Sequence, residues 1–177
     1  MIQQQKYTYS TEAKNIGKQK NIALIAHDNK KPEMIEWATQ NKEILQEHFL
    51  YCTGTTASLV TDATRLPITA FHSGPLGGDQ QIGSRITEGD INFVVFFWDP
   101  LESQPHDPDI KALLRIAAVF DIPIATNMAT ADFMLTSSYM SNEYRVEKVR
   151  SSLHLVEIPE ETVINEDEIR ADEIELE

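Results

Sequence analysis

Short apolar runs and helical repeats alternate five times along this chain, and that alternation constrains the fold more tightly than any other feature. The first run, Asn21-Ile22-Ala23-Leu24-Ile25-Ala26, is almost continuously apolar and stops at His27-Asp28. A run of this kind predicts a strand buried on both faces of a parallel sheet. Residues 32–48 follow with Met34, Trp37, Ala38 and Leu45 at helical spacing and Pro32 suited to a first turn. The pattern then repeats: strands over residues 49–52, 68–72, 91–98 and 122–126, and helices over 56–64, 79–88, 107–120 and 129–136. Gly89 closes the third of the five helices, and Ile110, Leu113, Leu114 and Ala117 mark one face of the fourth. The expected fold is a single-domain three-layer αβα sandwich around a five-stranded parallel sheet, a Rossmann-like arrangement. In such sheets ligands bind beyond the strand C-termini. That rule gathers His27-Asp28, residues 53–56, residues 73–79, residues 98–109 and Thr126-Asn127 into one crevice before any chemistry is considered.

Composition narrows the classes of function. A chain of 177 residues, 41% hydrophobic, suits one domain with a substantial core. Residues 1–20 are polar and read as a loose lead-in, residues 21–155 as the folded domain and residues 156–177 as an acidic tail. Residues 153–158 alternate apolar and polar side chains in the manner of an edge strand. The net charge is −13, of which residues 156–177 carry −9 and the rest of the chain −4. No basic footprint for nucleic acid is present. The longest apolar run is too short to span a bilayer, and the N-terminus lacks the apolar core of a signal peptide, so a soluble, cytoplasmic protein is expected. Cys52, the single cysteine, follows Leu50-Tyr51 and reads as a buried small hydrophobe.

The polar residues of the crevice carry the chemistry. Five of the seven glycines lie between positions 74 and 89, and Gly74, Gly77 and Gly78 directly precede Asp79. Gly77-Gly78 would let backbone amides point at an anion. Asp79 at the following helix start is either an N-cap or a catalytic carboxylate, and in this cluster the catalytic reading prevails. Thr53-Gly54-Thr55-Thr56 ends a strand and opens a helix, a combination of hydroxyls, amides and positive helix end that suits phosphate. Ser73-Gly74 adds donors at the next strand end, and Lys31 lies within reach of the same crevice. His27-Asp28 and His106-Asp107-Pro108-Asp109 have the side chains of metal ligands, but no Cys pair, HExxH or Glu-x-x-His accompanies them, so neither metal nor cofactor is expected. His106, bracketed by Pro105 and Pro108, suits polarising a carbonyl or shuttling a proton. Asp99, at the end of the strongest strand, suits orienting a histidine or hydroxyl. Asp107 and Asp109 compete to cap the next helix. His48, His72 and His154 lack comparable neighbours and read as structural or surface residues.

Together, the segments Ile22-Ala-Leu-Ile-Ala-His27-Asp28, Tyr51-Cys-Thr-Gly-Thr-Thr56, Ser73-Gly-Pro-Leu-Gly-Gly-Asp-Gln-Gln81, Phe96-Phe-Trp-Asp-Pro100, Pro105-His-Asp-Pro-Asp109 and Ile124-Ala-Thr-Asn127 resemble the methylglyoxal synthase family over residues 20–135. The resemblance implies conversion of dihydroxyacetone phosphate to methylglyoxal and inorganic phosphate, a cytosolic homohexamer and inhibition by inorganic phosphate. It implies that Lys31, Thr53, Thr55, Thr56, Ser73 and Gly74 contact the substrate phosphate, with Gly54 in the same turn. His27 and His106 would flank the carbonyl and hydroxyl oxygens, Asp79 would be the base, and Asp28, Asp99 and Asp109 would complete the polar shell. Proton handling would fall to Asp79 alone or to Asp79 with Asp109. The alternative within the same fold is a non-catalytic regulatory module, which needs phosphate donors but no acid–base set.

Overall fold

Alternate residues of the first apolar run enter two different cores, which is why nearly every position in it is apolar. The computed structural model describes residues 5–102 and 107–157. Strand β1 spans Gln5–Ile16 and β2 Asn21–Ala26; helices α1 (Lys31–Gln40) and α2 (Lys42–Leu45) follow. The chain continues through β3 (Phe49–Thr53), α3 (Gly54–Thr64), β4 (Ile68–Phe71), α4 (Gly78–Glu88), β5 (Phe93–Phe97), α5 (Asp107–Val119), β6 (Ile124–Ala125), α6 (Met128–Leu135) and β7 (Tyr144–Glu157). Ile22 and Leu24 of β2 pack with Met34, Trp37, Val60 and Leu135 on one face of the sheet. Ala23 and Ile25 pack with Ile82, Ile86, Ile110 and Leu113 on the other. β5 divides in the same way, with Phe93, Val95 and Phe97 on the first face and Val94 and Phe96 on the second.

The five central strands run parallel in the order β4-β3-β2-β5-β6. The chain winds outward from β2 through β3 to β4, then crosses to the other side of β2 for β5 and β6. The winding direction therefore reverses between β2 and β5, and in sheets of this kind ligands bind beyond the strand C-termini. Each large buried side chain contributes roughly 1.5–3 kcal/mol on burial. The described ion pairs are surface contacts within α-helical turns or beside them, such as Arg85 with Glu88 and Asp90, and such pairs contribute about 0–1 kcal/mol each. The two apolar cores therefore hold the sandwich together.

Several boundaries differ from the sequence expectation for identifiable reasons. The helix expected over residues 32–48 divides at Asn41, whose backbone N–H and Nδ2 both bond the Trp37 carbonyl, at 3.0 and 2.9 Å; a side chain competing for a helix carbonyl ends the turn. Residues 5–16 form a strand where the sequence suggests a loose lead-in, in keeping with the run of Tyr and Thr at positions 7–11. The alternating segment before residue 158 is the end of the longer β7, which pairs with β1 in a two-stranded sheet and is not an edge of the central one. The described residues divide into two compact units, one within residues 13–148 and one formed by residues 5–12 with 149–157. Most of the acidic tail, residues 158–177, lies outside the described residues. No helix among the described residues is long and apolar enough to cross a membrane. Cys52 is fully buried in the first core, and desolvation pushes its thiol up out of the reactive range.

At the strand N-terminal side, His48 accepts the Lys20 backbone N–H on Nδ1 at 3.2 Å. Burial first, and the Lys20 charge second, hold its imidazole below the usual histidine range. The native state therefore favours neutral His48, while the unfolded chain takes up a proton as pH falls through that range. By linkage, stability is lost on acidification through the ordinary histidine range. Melting temperatures across that interval, compared between the unmodified chain and His48→Asn, should show this acid-dependent component vanish in the variant.

Candidate functional site

Three strand ends and the helix starts beyond them build one cleft. It is lined by His27, Asp28 and Lys31 after β2, by Thr53, Gly54, Thr55 and Thr56 after β3, and by Ser73, Gly74, Pro75 and Asp79 between β4 and α4, over a floor of Ile25 and Ala26. Ten residues expected from the sequence thus share one cavity: His27, Asp28, Lys31, Thr53, Gly54, Thr55, Thr56, Ser73, Gly74 and Asp79.

Two glycines make this proximity possible. A Cβ on Gly54 (φ +49°) would lie 2.8 Å from the Ser73 Cβ and 2.9 Å from its Cα. A Cβ on Gly78 would lie 2.0 Å from the His72 carbonyl oxygen, a position no atom can occupy. The Gly54 N–H donates to that same oxygen at 3.1 Å. The expectation that Gly77-Gly78 present anion-facing amides is corrected by the turn itself. Both amides are spent inside it, Gly77 on the Gly74 carbonyl and Gly78 on that of Ser73, each at 2.9 Å. Gly77 instead supplies a left-handed turn (φ +91°) that starts α4.

The donors for an anion lie at the start of α3. Thr53 caps this helix without a side-chain bond, and the amides of the first turn after Gly54, those of Thr55 and Thr56, have no intrahelical acceptor by helix geometry. The positive end of the helix faces the cleft with them. Lys31 crosses the cleft mouth, its Nζ donating to Thr55 Oγ1 at 2.5 Å and to Asp28 Oδ1 at 2.6 Å. An ammonium carries three donors, of which these two bonds use two. Asp28 is largely exposed (85%) and tethers Lys31 from the solvent side.

Asp79 sits in the first turn of α4 with 3% of its surface exposed. A carboxylate in that position is stabilised by the helix start while remaining at the cleft wall. His27, 6% exposed, packs edge-on against Phe96 with ring centroids 5.2 Å apart. Its Nδ1 accepts the Asp99 backbone N–H at 3.3 Å. Neutral His27 therefore carries its proton on Nε2 and is a donor there.

Two expected residues are placed differently. The Asp99 carboxylate is outside the cleft lining; it accepts the Leu101 N–H at 3.1 Å and Asn29 Nδ2 at 3.3 Å, bonds that hold it below the usual carboxylate range. The group of Asp99 that meets His27 is its backbone amide. Asp109 is likewise outside the lining, in the first turn of α5, where Oδ1 accepts Gln80 Nε2 at 3.1 Å. His106 lies outside the described residues and immediately precedes Asp107, the first residue of α5. Asn29, Gln80 and Gln81 make contacts around the site that sequence reasoning missed. The signal that could have found the two glutamines is a polar pair directly after the carboxylate at a helix start. Among the described residues no group of three or more His, Cys, Asp or Glu could hold a metal ion.

Comparison with known proteins identifies the family. The family model for the MGS-like domain matches residues 33–126. Methylglyoxal synthase of Leptospira interrogans serovar copenhageni is 55% identical over 126 residues, which cover 71% of this chain and 85% of the relative. The chain belongs to the methylglyoxal synthase family. Methylglyoxal synthase of Vibrio cholerae is 56% identical over 128 residues, covering 72% of this chain and 85% of the relative. The crystal structure of methylglyoxal synthase from Elizabethkingia anophelis superposes with a TM-score of 0.74 at 44% identity, over 77% of this chain and 90% of that one. The protein is accordingly a carbon–oxygen lyase that eliminates phosphate, and the five-stranded parallel sandwich is the family's fold.

A matched pair of glycine substitutions tests how the cleft is held together. Gly78→Ala should lower stability by several kcal/mol and abolish activity, since overpacking against backbone has no flexible side chain to yield. Gly83→Ala in the same helix, where a Cβ would meet only Ile116 Cδ1 at 3.6 Å, should be neutral or stabilising by about 1 kcal/mol. Thermal melts with activity assays read both.

Proposed function

We propose that this cleft binds dihydroxyacetone phosphate with its phosphate on the Thr53-Gly54-Thr55-Thr56 turn, Ser73-Gly74 and Lys31, and that Asp79 is the base. The observation that carries this reading is a buried carboxylate in the same cavity as an uncapped helix start and a lysine. The hydroxymethyl C–H beside the ketone is acidified by the carbonyl, and Asp79 takes that proton. Negative charge then grows on the ketone oxygen, where a neutral imidazole donor stabilises it more than the ground state. His106 is assigned that role, and His27 the neighbouring oxygen through its Nε2–H. Triosephosphate isomerase opens its reaction with the same kind of pair, a carboxylate base and a neutral histidine.

The second step separates the two outcomes. The enediol phosphate loses phosphate when the C–O bond stands perpendicular to the enediol plane, because the breaking bond then overlaps the π system. Donors on α3 and at Ser73-Gly74 would hold the phosphate in that position and absorb its leaving charge. Elimination requires neither an oxidant nor a hydrolytic water. Asp28, Asp99 and Asp109 are assigned to the surrounding polar shell, Asp28 by tethering Lys31 and Asp99 through its amide to His27. The same donors would accept inorganic phosphate, so inhibition by it is part of this reading, as are a cytoplasmic location and a homohexameric assembly.

The test is a methylglyoxal colour assay with dihydroxyacetone phosphate in excess chelator. A regulatory module would form no product, and a metal-dependent phosphohydrolase would lose activity to the chelator. Asp79→Asn should reduce turnover by at least roughly a thousandfold, about 4 kcal/mol of barrier, while a stable enediolate analogue still binds. Near-normal turnover in that variant would remove Asp79 from the base role.

A further inference from the structure

The peptide between His72 and Ser73 is where the two helix starts of the cleft meet. Its His72 carbonyl accepts Gly54 N–H at 3.1 Å, and the Ser73 carbonyl accepts both Leu76 N–H and Gly78 N–H at 2.9 Å. The His72 N–H donates to Gln81 Oε1 at 2.8 Å. Gln81 thus adds a side-chain bond to a node otherwise made of backbone, and its own N–H is fixed to the Gly77 carbonyl at 3.0 Å. β4 is an edge strand of the central sheet, so among the described residues no further strand steadies the chain where it leaves the sheet at His72. Gln81 is not part of the cleft lining; it lies two residues after Asp79 on the same helix turn.

We propose that Gln81 is a positioning residue: by clamping the His72 peptide to the first turn of α4, it fixes Ser73-Gly74 relative to Asp79 and so fixes the substrate phosphate relative to the base. This rests on the assignment of phosphate and base made above and deepens it. With the clamp removed, the phosphate is no longer held out of the enediol plane. The enediolate phosphate then has a second fate: the protonated Asp79 returns its proton to the former ketone carbon, while the hydroxyl on the carbon that Asp79 deprotonated passes its proton to the former ketone oxygen and becomes the aldehyde. The product is glyceraldehyde 3-phosphate, an isomer of the substrate, with no atom gained or lost.

The experiment compares Q81M, which lacks the acceptor, with Q81E, which keeps it, using dihydroxyacetone phosphate as substrate and inorganic phosphate as inhibitor. In Q81M, KM and the phosphate inhibition constant should both rise about tenfold, and the ratio of glyceraldehyde 3-phosphate to methylglyoxal should increase. In Q81E all three should stay within about twofold of the unmodified chain. A general loss of folded protein lowers both products together and leaves the ratio unmoved. Should Q81M not fold, Q81N, polar but one methylene short of His72, reads the same ratio. An unchanged ratio and KM in Q81M, or Q81E as impaired as Q81M, overturns the proposal. The unmodified chain is assayed alongside: if it makes no methylglyoxal, the assignment of function fails, whereas a normal unmodified chain with an insensitive Q81M defeats only this inference.

Discussion

A backbone oxygen at the end of β4 occupies the space where a side chain on Gly78 would begin, and the rest of the cleft depends on that contact. The His72 carbonyl lies 2.0 Å from the place of a Gly78 Cβ and accepts the Gly54 N–H. One peptide thereby touches the first residues of both α3 and α4. Because the two helix starts are drawn to one point, the orphan amides of Thr55 and Thr56, the Ser73 hydroxyl and the buried Asp79 carboxylate share a single cavity. A substituent at either glycine would collide with this segment and force the two helix starts apart. The two apolar cores supply the rigidity on which this fit relies, since close-packed interiors do not deform to absorb a misplaced atom.

An acidic chain binding an anionic substrate is not a contradiction at this geometry. Most of the −13 charge is carried by residues 156–177, and net charge does not decide what a local site binds. Within the cleft the balance is local. Lys31, the α3 start and the Ser73-Gly74 segment are all donors, and Asp28 is held against the Lys31 ammonium at 2.6 Å. A helix start and one ammonium contribute favourably over a few ångströms, so the local donors rather than the net charge of the chain decide what the cleft attracts. Asp79 stands at a second helix start, which stabilises its charge.

The order and type of the central elements were legible in the sequence because a parallel sheet buried on both faces writes itself as short continuous apolar runs. Asn21–Ala26 and Phe93–Phe97 are clear examples. The crevice was legible for the same reason: strand ends are easy to locate, and the residues just beyond them are polar. What pattern reading missed were facts of backbone geometry. The Gly77 and Gly78 amides have the right residue type to bind an anion, but they are consumed by a turn whose closure depends on Ser73 and Gly74 carbonyls. Asp99 stands out in the sequence for its carboxylate, whereas its amide is what meets His27. Gln80 and Gln81 are ordinary helix residues by propensity, and only the fold shows that they bond Asp109 and His72. The strand at residues 5–16 lacks clean alternation and pairs with a segment more than a hundred residues away, a partnership no local window contains.

The most direct test of the shared cleft is a crystal structure of the chain bound to a stable phosphate-bearing hydroxamate that mimics the enediolate. The phosphate oxygens should lie within about 3 Å of the Thr55 and Thr56 amides, the Ser73 hydroxyl and Lys31 Nζ, with an Asp79 carboxylate oxygen at similar distance from the hydroxamate end. A phosphate seated away from residues 53–56 and 73–74, or an Asp79 carboxylate turned from the ligand, would contradict a cleft built to hold base and phosphate together.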